Sequence, residues 1–262
     1  MQERHSDRQT YFNELAHTAR NYYIPYIKRF TNLSSEKTIL EIGCGEGGNL
    51  LPFAELACRV TGIDACPERI EQAQRFFPAA YHSRFLDINF FNVLPPKKSE
   101  RYDIILIHDV IEHVRDKDRF VKHLKLFLAP DGIVFWGFPA WQMPFGGHQQ
   151  ICRCKFCANF PFLHLLPMSL YKWYLKACGE NESCVDELID IKLCKTSIET
   201  FEKLIKTNNA DIVDRYLWFI NPHYEQKFNL KPRKLSGILN KIPYLRDFFS
   251  TSCFYITVFN DN

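Results

Sequence analysis

One glycine-rich segment of this chain has the residue types and the spacing that nucleotide binding requires. Residues 38–48 read TILEIGCGEGG, an apolar run followed directly by a turn. Gly43, Gly45 and Gly48 have the spacing G-x-G-x-x-G, so the backbone can turn tightly and lie against a ligand without a Cβ in the way. A helix predicted over residues 49–57 would point free N–H groups at the same place. The segment therefore predicts a strand, a ligand-binding loop and a helix.

The acidic residues around this turn distinguish two kinds of cofactor. Glu41 lies near the end of the predicted strand and Glu46 lies in the turn, so the phosphates of a dinucleotide such as NAD would meet two carboxylates. That repulsion is costly unless a cation intervenes. S-adenosylmethionine has no phosphate, and acidic residues attract its sulfonium and ammonium groups. The charges therefore favour S-adenosylmethionine, while the glycine spacing leaves NAD open.

A second predicted strand, over residues 58–64, also ends in a carboxylate. Asp64 follows Gly45 by 19 positions, close to the ~20 expected for a carboxylate that binds both hydroxyl groups of a ribose. The alternative is that Asp64 only caps the next helix, with Pro67 as the first helical residue. Because the strand, the acid and the upstream loop occur together, we favour ribose binding.

Further segments follow the glycine-rich loop in order. They are Gly62-Ile63-Asp64, residues 84–88 (RFLDI), residues 101–114 (RYDIILIHDVIEHV) and residues 128–132 (LAPDG). Together with residues 41–47, these segments resemble the class I S-adenosylmethionine-dependent methyltransferases. The resemblance covers residues 35–140 and resumes weakly near the C-terminus. It implies a methyltransferase with S-adenosylmethionine as its cofactor.

The resemblance also implies which residues bind the cofactor. Asp87 would contact the amino group of the adenine, and His108 could contact the cofactor through its backbone alone. The complete predicted set is Glu41, Gly43, Cys44, Gly45, Asp64, Ala65, Asp87, Ile88, His108 and Asp109.

The order of predicted elements indicates an α/β fold. We expect a doubly wound, Rossmann-like and mostly parallel sheet of about seven strands, with the last strand antiparallel and a helical insertion. Strands are predicted near residues 38–42, 59–64, 84–88, 102–108, 132–138, 211–220 and 253–259, and helices near residues 8–30, 48–57, 67–77 and 117–128.

Three parts of the chain are predicted. Residues 1–140 form an N-terminal helix and the cofactor-binding core, and residues 141–195 form an insertion that covers the substrate. Residues 196–262 complete the core and include a basic, aromatic insertion at residues 221–252.

Composition and charge exclude some functions. The chain has 262 residues and a net charge of +3, which is too small to indicate nucleic acid binding by itself, so we expect no nucleic acid partner. The polar residues 1–7 do not resemble a signal peptide, and no apolar run approaches the ~18 residues of a membrane span. We therefore expect a cytoplasmic protein. The sequence does not specify its oligomeric state.

Ten cysteines are present, and without an export signal we expect reduced thiols. His148, Cys152, Cys154 and Cys157 lie close together in the sequence and are residue types that zinc prefers. A second paired knuckle is missing from this pattern. We therefore expect no bound metal, with zinc binding by this cluster as the alternative.

Methyl transfer to an oxygen or nitrogen atom can also require a base that takes a proton from the acceptor. His108, Asp109, His113 and His148 are candidates because they follow the fourth and fifth predicted strands. We favour His148, which comes after two glycines in the loop beyond the fifth strand. The alternative is a surface histidine. His113 is expected to cap or pack in the helix after strand four.

Residues 221–250 suggest the surroundings of the acceptor. Six basic residues and two acidic residues give this segment a net charge of +4, with apolar residues interleaved. Such a flap could meet a phosphate-linked or lipid-linked substrate, or make peripheral contact with a membrane. The alternative is an amphipathic helix that packs on the core and exposes a solvated basic face.

The function that these observations favour is methylation, at oxygen, of a small molecule or of a glycan- or lipid-linked precursor. A faint resemblance to bacterial methyltransferases of surface glycan synthesis points the same way. Two alternatives stay open. One is an NAD-dependent oxidoreductase or epimerase that uses the Gly43-Gly45-Gly48 loop, and the other is a non-catalytic nucleotide-binding protein.

Overall fold

The computed structural model describes residues 7–260. They form a single eight-stranded sheet with helices packed around it. The strand order is β3-β2-β1-β4-β5-β8-β6-β7. Strands β1 to β5 are parallel, and β8 runs antiparallel to both β5 and β6. The strands are β1 (Thr38–Ile42), β2 (Arg59–Asp64), β3 (Ser83–Asp87), β4 (Tyr102–His108), β5 (Leu128–Phe138), β6 (Ala210–Ile220), β7 (Arg233–Lys234) and β8 (Ser252–Phe259).

The predicted doubly wound, mostly parallel sheet is confirmed, including the antiparallel last strand. The sheet has eight strands where about seven were expected, because the two-residue β7 pairs with the outer edge of β6. Strand β5 also begins earlier than predicted, at Leu128, which pairs with Tyr102 ahead of an irregularity in the ladder. A two-residue strand at an edge leaves little sequence signal, since it has no periodicity of its own.

The central strand β4 shows why the sheet is buried on both faces. Ile105 and Ile107 pack in one apolar cluster, while Ile104 and Leu106 pack in a second cluster. Successive side chains of a strand point to opposite faces, so an unbroken apolar run requires cover on both sides. The helices supply that cover.

The described helices are short, and most flank the sheet. They are α1 (Arg8–Thr18), α2 (Ile24–Ile27), α3 (Leu51–Glu55), α4 (Pro67–Phe76), α5 (Lys117–Lys125), α6 (Lys155–Asn159), α7 (Met168–Ala177), α8 (Glu182–Cys194), α9 (Ile198–Thr207), α10 (Tyr224–Phe228), α11 (Gly237–Asn240) and α12 (Leu245–Phe248). No helix between residues 7 and 260 has the length and apolar character needed to cross a bilayer.

The N-terminal helical segment lies over the glycine-rich loop. A π-helical turn, Ala19–Tyr23, joins α1 to α2, in agreement with the helix predicted over residues 8–30. A Cβ on Gly48 would lie 2.4 Å from the carbonyl oxygen of Phe12, so only glycine permits this close approach. The helix thereby closes one side of the loop.

Residues 141–195 contain helices α6 to α8 and a small apolar cluster of their own, centred on Tyr171, Leu175 and Leu188. Residues 221–252 contain α10, α11, α12 and β7 between the last two long strands. The division of the chain at residues 140 and 195 stays a prediction, and residues 1–6 and 261–262 of its outer parts lie outside the described residues.

Candidate functional site

A cavity of about 500 Å³ opens where β1 and β2 end and where the loop after β4 begins. Its wall is mostly apolar, with a few polar groups, as is usual for a small-molecule site. Four residues of the predicted cofactor set line it: Gly43, Asp64, Ala65 and Ile88. The other lining residues are Ile42, Ile63, Asn89, Phe90, Phe91, Val110, His113, Val114, Arg115, Asp116, Arg119 and Phe120.

The glycine-rich loop has the backbone conformation that its sequence predicts. Gly43, Gly45 and Gly47 have φ values of 73°, 51° and 82°, in the left-handed region that favours glycine. A Cβ on Gly43 would lie 2.3 Å from Val110, whereas one on Gly45 would have no described heavy atom within 4 Å. Gly45 therefore borders open space that a ligand can fill. Cys44 is buried, and its N–H donates to the carbonyl of Ile63 (3.0 Å).

Asp64 holds the loop in place. One carboxylate oxygen accepts a hydrogen bond from the N–H of Gly45 (2.9 Å), and the other accepts one from the N–H of Cys66 (2.9 Å). A carboxylate has about four acceptor positions, so capacity remains for two hydroxyl groups. Asp64 does not cap α4, since Cys66 is the N-cap residue of that helix and no side chain caps it. Asp64 instead connects the end of β2 to its loop and borders the cavity, and ribose binding stays a prediction.

Glu41 is buried below the loop. Asn49 donates to Glu41 Oε1 (2.8 Å), and Glu41 Oε2 has no hydrogen-bond partner among residues 7–260. Burial raises the pKa of Glu41 to about 8, against the Asn49 bond that lowers it and with a smaller contribution from the charge of Asp64. The Glu41 side chain is therefore largely neutral near pH 7, and a nearby cation would favour its ionised form.

Glu46 is also buried, but its charge is compensated by Arg8, whose guanidinium lies 3.2 Å from Glu46 Oε1. The sequence predicts two uncompensated carboxylates, Glu41 and Glu46. In the structure the charge of Glu46 is compensated by Arg8. Sequence analysis missed Arg8 because 37 intervening residues separate it from Glu46. It missed Asn49 as the Glu41 partner because only the folded loop shows which side chain turns back.

Asp87 and Ile88 have different positions relative to the cavity. Asp87 pairs in register with Asp64 at the end of β3, and its side chain is exposed and does not line the cavity. Ile88 does line it, and its N–H donates to the carbonyl of Asp64 (2.9 Å). Asn89, which sequence analysis missed, lines the same wall. A contact between Asp87 and adenine stays a prediction.

His108 and Asp109 close the end of β4. The Tyr23 hydroxyl lies 2.7 Å from His108 Nε2, so the π-helical turn is tied to the strand. Asp109 has a φ of 52°, which is uncommon for a non-glycine residue and occurs at functional sites. Its charge raises the pKa of Tyr11, Tyr23 and Tyr224, although burial is the largest cause for each. Three neutral phenols therefore lie within electrostatic range of Asp109, whose side chain is 52% exposed.

His148 and His113 form a pair beside this point. Their rings make an edge-to-face contact with 5.0 Å between centroids, and atoms of Glu112, His113 and His148 lie within 4.8 Å of one another. Both carboxylate oxygens of Glu112 are buried without a hydrogen-bond partner in the described part of the chain. The three residues have ligand types that suit a metal ion, although the sequence predicted none.

Burial, together with a smaller effect of the nearby His113, lowers the pKa of His148 to about 4, and the charge of Asp109 opposes this shift. Burial also lowers the pKa of His113. His148 is partly exposed, so it is neither the fully exposed surface histidine considered from the sequence nor a fully buried one. Both rings are neutral at physiological pH and can accept a proton.

The loop that carries His148 is held by the insertion. A Cβ on Gly147 would lie 2.1 Å from the Cβ of His164, and His164 Nε2 donates to the carbonyl of Trp141 (2.7 Å). Gln149 Nε2 donates to the carbonyl oxygens of Pro144 and Phe160, at 3.1 Å each. These contacts fix the loop on both sides of His148.

The cysteines do not converge on His148. All ten are free thiols. Cys154 and Cys157 group with Cys178, and Cys152 groups with Glu180 and Cys184. The zinc alternative that joined His148 to Cys152, Cys154 and Cys157 is therefore wrong in its ligand set.

Comparison with known proteins identifies the family. A model of the methyltransferase domain family matches residues 15–146, half of the chain. The chain therefore belongs to the class I S-adenosylmethionine-dependent methyltransferases, and its cofactor is S-adenosylmethionine.

Named relatives share only this part. The ubiquinone biosynthesis O-methyltransferase of Pelagibacter ubique is 35% identical over 114 residues, which cover 42% of this chain and 47% of that protein. A probable (S)-tetrahydroprotoberberine N-methyltransferase 2 of Papaver bracteatum is 31% identical over 105 residues, which cover 38% of this chain and 28% of that protein. The chain spans about half or less of the length of these relatives.

Solved structures show the same fold over nearly the whole chain. Magnesium protoporphyrin IX methyltransferase from Synechocystis PCC 6803, with bound SAH, has a TM-score of 0.56 at 13% identity and covers 94% of this chain and 84% of its own. The plantazolicin methyltransferase BpumL, with a triazolic desmethylPZN analog and SAH, has a TM-score of 0.56 at 14% identity and covers 99% of this chain and 89% of its own.

The residues present fit the cofactor of this family. Gly45 borders open space, Glu41 Oε2 is a buried acceptor without a partner in the described chain, and Asp64 borders an apolar cavity. We propose that Asp64 binds the ribose hydroxyls and that Glu41 compensates the cationic methionine end. Ala65 and Ile88 would then flank the adenosine.

Replacing Asp64 by Ala should destabilise the protein even without cofactor. The change leaves the N–H groups of Gly45 and Cys66 without their acceptor, which we expect to cost about 2–4 kcal/mol of unfolding free energy. Urea denaturation of the cofactor-free protein measures this cost. Asp87→Ala is the matched control at an exposed carboxylate and should change stability by less than ~0.5 kcal/mol. Equal stability of the two variants would contradict the bonding assigned to Asp64.

Binding of S-adenosylhomocysteine should strengthen as pH rises from 6 to 8. Because the folded-state pKa of Glu41 is raised to about 8, its neutral form stabilises the cofactor-free protein at low pH, and this contribution is lost as pH rises through that value. The ligand ammonium favours the ionised form, so binding should release a proton below pH 8. Calorimetry in buffers of different ionisation enthalpy measures this release.

The variant Glu41→Gln keeps the Asn49 contact and removes the titration, so its affinity should be weaker and nearly independent of pH in this range. NAD is the control ligand and should bind neither protein measurably. Proton release of equal size in Glu41→Gln would show that another group titrates.

Proposed function

We propose that this protein transfers a methyl group from S-adenosylmethionine to an oxygen atom of a small molecule or of a glycan- or lipid-linked precursor. The cofactor supplies a methyl group already activated on a sulfonium. The protein must then align the acceptor, exclude water and accept a proton. The observation that carries the proposal is the partly buried, neutral imidazole of His148, which contacts His113 at the wall of the cavity.

His148 suits the role of base through its position. The charge of Asp109 acts on both His148 and His113, so these rings lie near the strand end that borders the cofactor cavity. His113 itself lines that cavity. An acceptor hydroxyl placed between the cavity and His148 would have a neutral nitrogen available for its proton.

Burial also affects the strength of this base. With a pKa of about 4, His148 is a weaker base than a free imidazole, but it stays unprotonated over the whole physiological range. Proton transfer from the acceptor to such a weak base costs free energy. The cost is smaller for an acidic hydroxyl group, such as a phenol with a pKa near ~10, than for an ordinary alcohol. The proposal therefore favours phenolic or similarly acidic hydroxyl groups.

Aromatic side chains from two elements lie near Asp109, whose own side chain is 52% exposed. Tyr11 and Tyr224 come from α1 and α10, two elements far apart in the sequence, and burial raises the pKa of both hydroxyl groups. Edge-to-face contact of Tyr11 with His223 joins these elements, with 6.0 Å between ring centroids. Aromatic side chains of this kind suit contact with an apolar or aromatic acceptor.

The family assignment decides against the two other functions considered from the sequence, an NAD-dependent oxidoreductase and a non-catalytic nucleotide-binding protein. The names of the relatives support small-molecule methylation in general. These relatives include several ubiquinone biosynthesis O-methyltransferases and a probable N-methyltransferase. We propose oxygen as the acceptor atom, which the names of the O-methyltransferase relatives support.

Replacing His148 by Asn should slow methyl transfer by ~10²–10⁴-fold, the usual weight of general acid–base catalysis. Asn tolerates the left-handed backbone of residue 148, where φ is 56°, but its amide cannot accept a proton. Transfer of a radiolabelled methyl group to a panel of phenols and sugars measures the rate. Affinity for S-adenosylhomocysteine should hardly change.

The rate governed by His148 should be flat from pH 8 to about 5.5 and fall only towards pH 4, because its pKa is lowered to about 4. This differs from the fall near ~6.5 expected for an unperturbed imidazole. The exposed His82 provides the control variant His82→Asn, which should keep the wild-type rate. A His148→Asn protein with the wild-type rate would exclude His148 as the base.

Residues 221–252 present a basic and apolar surface. Between residues 228 and 249 every exposed charged side chain is basic, since Arg246 and Asp247 are buried and Arg246 pairs with Glu199 and Glu202. The exposed cations are Lys231, Arg233, Lys234 and Lys241. The exposed apolar residues are Phe228, Leu230, Ile238, Ile242, Tyr244, Leu245, Phe248 and Phe249.

This arrangement differs from the packed amphipathic helix considered as an alternative, because α10, α11 and α12 are each five residues or shorter and leave many apolar side chains exposed. We propose that the surface contacts an anionic bilayer, whose charge complements the four exposed cations. Such contact would bring the crevice to a lipid-linked acceptor.

The double variant Lys231→Gln/Lys241→Gln should lower affinity for vesicles of phosphatidylglycerol and phosphatidylcholine by about 30-fold, from ~1 kcal/mol for each cation near an anionic surface. Co-sedimentation measures the binding, and high salt should weaken it. Ile238→Ser should also weaken it, whereas Leu94→Ser, at an equally exposed leucine elsewhere, should not. Equal binding to pure phosphatidylcholine vesicles would contradict the charge argument.

A further inference from the structure

The insertion at residues 141–195 contains a cluster of thiols that methyl transfer does not use. Cys154 directly precedes α6, Cys157 lies within it, and Cys178 follows the last residue of α7. The three sulfur atoms lie within 4.8 Å of one another. Cys157 is fully buried, and Cys154 and Cys178 are partly buried.

This spacing suits a tetrahedral metal ion. Zinc binds thiolates at about 2.3 Å, which separates two sulfurs of a tetrahedral site by about 3.8 Å. Cys154 and Cys157 have the C-x₂-C spacing of a zinc knuckle, and Cys178 brings a third sulfur from a different helix. The sequence did not reveal the third ligand because it lies 21 residues beyond Cys157.

A neighbouring group, Cys152, Glu180 and Cys184, also lies within 4.8 Å. Its carboxylate already has structural partners, since Glu180 accepts hydrogen bonds from the N–H groups of Arg153 (3.1 Å) and Cys154 (2.8 Å). Glu180 therefore holds the Cys154 backbone against the turn that follows Cys178. These bonds bring the two halves of the three-thiol cluster together before any ligand binds.

We propose that Cys154, Cys157 and Cys178 bind one thiophilic metal ion of the zinc class. Three thiolates leave the fourth tetrahedral position to a ligand from outside the cluster. The ion would connect α6 to α7 within the small apolar cluster of the insertion, where a staple adds stability that a small core lacks. The same insertion holds the His148 loop through the contact of Gly147 with His164.

The site is independent of the methyl transfer proposed above, so its test uses metal content rather than activity. The full chain is incubated with zinc under reducing conditions and dialysed, and the metal is measured by mass spectrometry. We expect one zinc ion per chain. Cobalt(II) should give thiolate-to-metal charge-transfer bands and the intense visible bands of a tetrahedral site. Cys154→Ser and Cys178→Ser should lose both signals.

Two cysteine variants serve as matched controls. Cys184→Ser alters the neighbouring group and Cys66→Ser alters a thiol outside both clusters, and both should retain the ion. Binding of S-adenosylhomocysteine verifies that each variant is folded. If a variant fails to fold, the intensity of the cobalt–thiolate band of the wild-type protein decides, because that intensity scales with the number of thiolates and the neighbouring group has only two.

Three outcomes would overturn the proposal. One is a wild-type protein that retains no zinc and gives no cobalt–thiolate bands. Another is equal loss of metal in Cys184→Ser and Cys178→Ser. The last is a disulfide between two of the three cysteines in protein purified without reductant, if the protein still fails to bind zinc after that disulfide is reduced.

Discussion

The arrangement of the site depends on one buried carboxylate. Asp64 accepts hydrogen bonds from the N–H groups of both Gly45 and Cys66, and so fixes the glycine-rich loop relative to the end of β2. Without this acceptor the loop would bury two unpaired N–H groups, a cost that few loops tolerate. The left-handed glycines permit the turn, but Asp64 selects one conformation from those that glycine allows. The cavity wall and the packing of α1 against Gly48 both follow from that selection.

The parts of the fold that could be predicted are those encoded locally. The unbroken apolar run of β4 predicts a central parallel strand. The glycine-rich loop and Asp64, which follows Gly45 by 19 positions, predict a nucleotide site because strand, loop and acid occur in one continuous segment. The two-residue β7 has no periodicity and was not predicted. The early start of β5 was hidden by Pro130, Asp131 and Gly132, which have turn character in the sequence but continue the strand in the sheet.

The parts that could not be predicted are contacts between distant segments. Arg8 compensates Glu46, Tyr23 reaches His108, and Cys178 joins Cys154, and each pair is brought together only by the packing of whole elements. His148 was found from its position after two glycines, yet its neutral state was not. Only the structure shows that the ring is partly buried beside His113 and that its pKa is lowered. Sequence spacing can therefore nominate a residue, while its protonation depends on burial.

Burial is the main cause of the altered pKa values around the site. Glu41 has a raised pKa and His113 and His148 have lowered ones, so these three side chains are mostly neutral in the cofactor-free protein. Acidic and basic side chains nevertheless border the site, since Asp64, Arg115, Asp116 and Arg119 line the cavity. The neutral groups are therefore a local feature, and burial is the largest cause of each of the three pKa shifts. The same burial makes Glu41 an acid that ionises when a cation binds beside it.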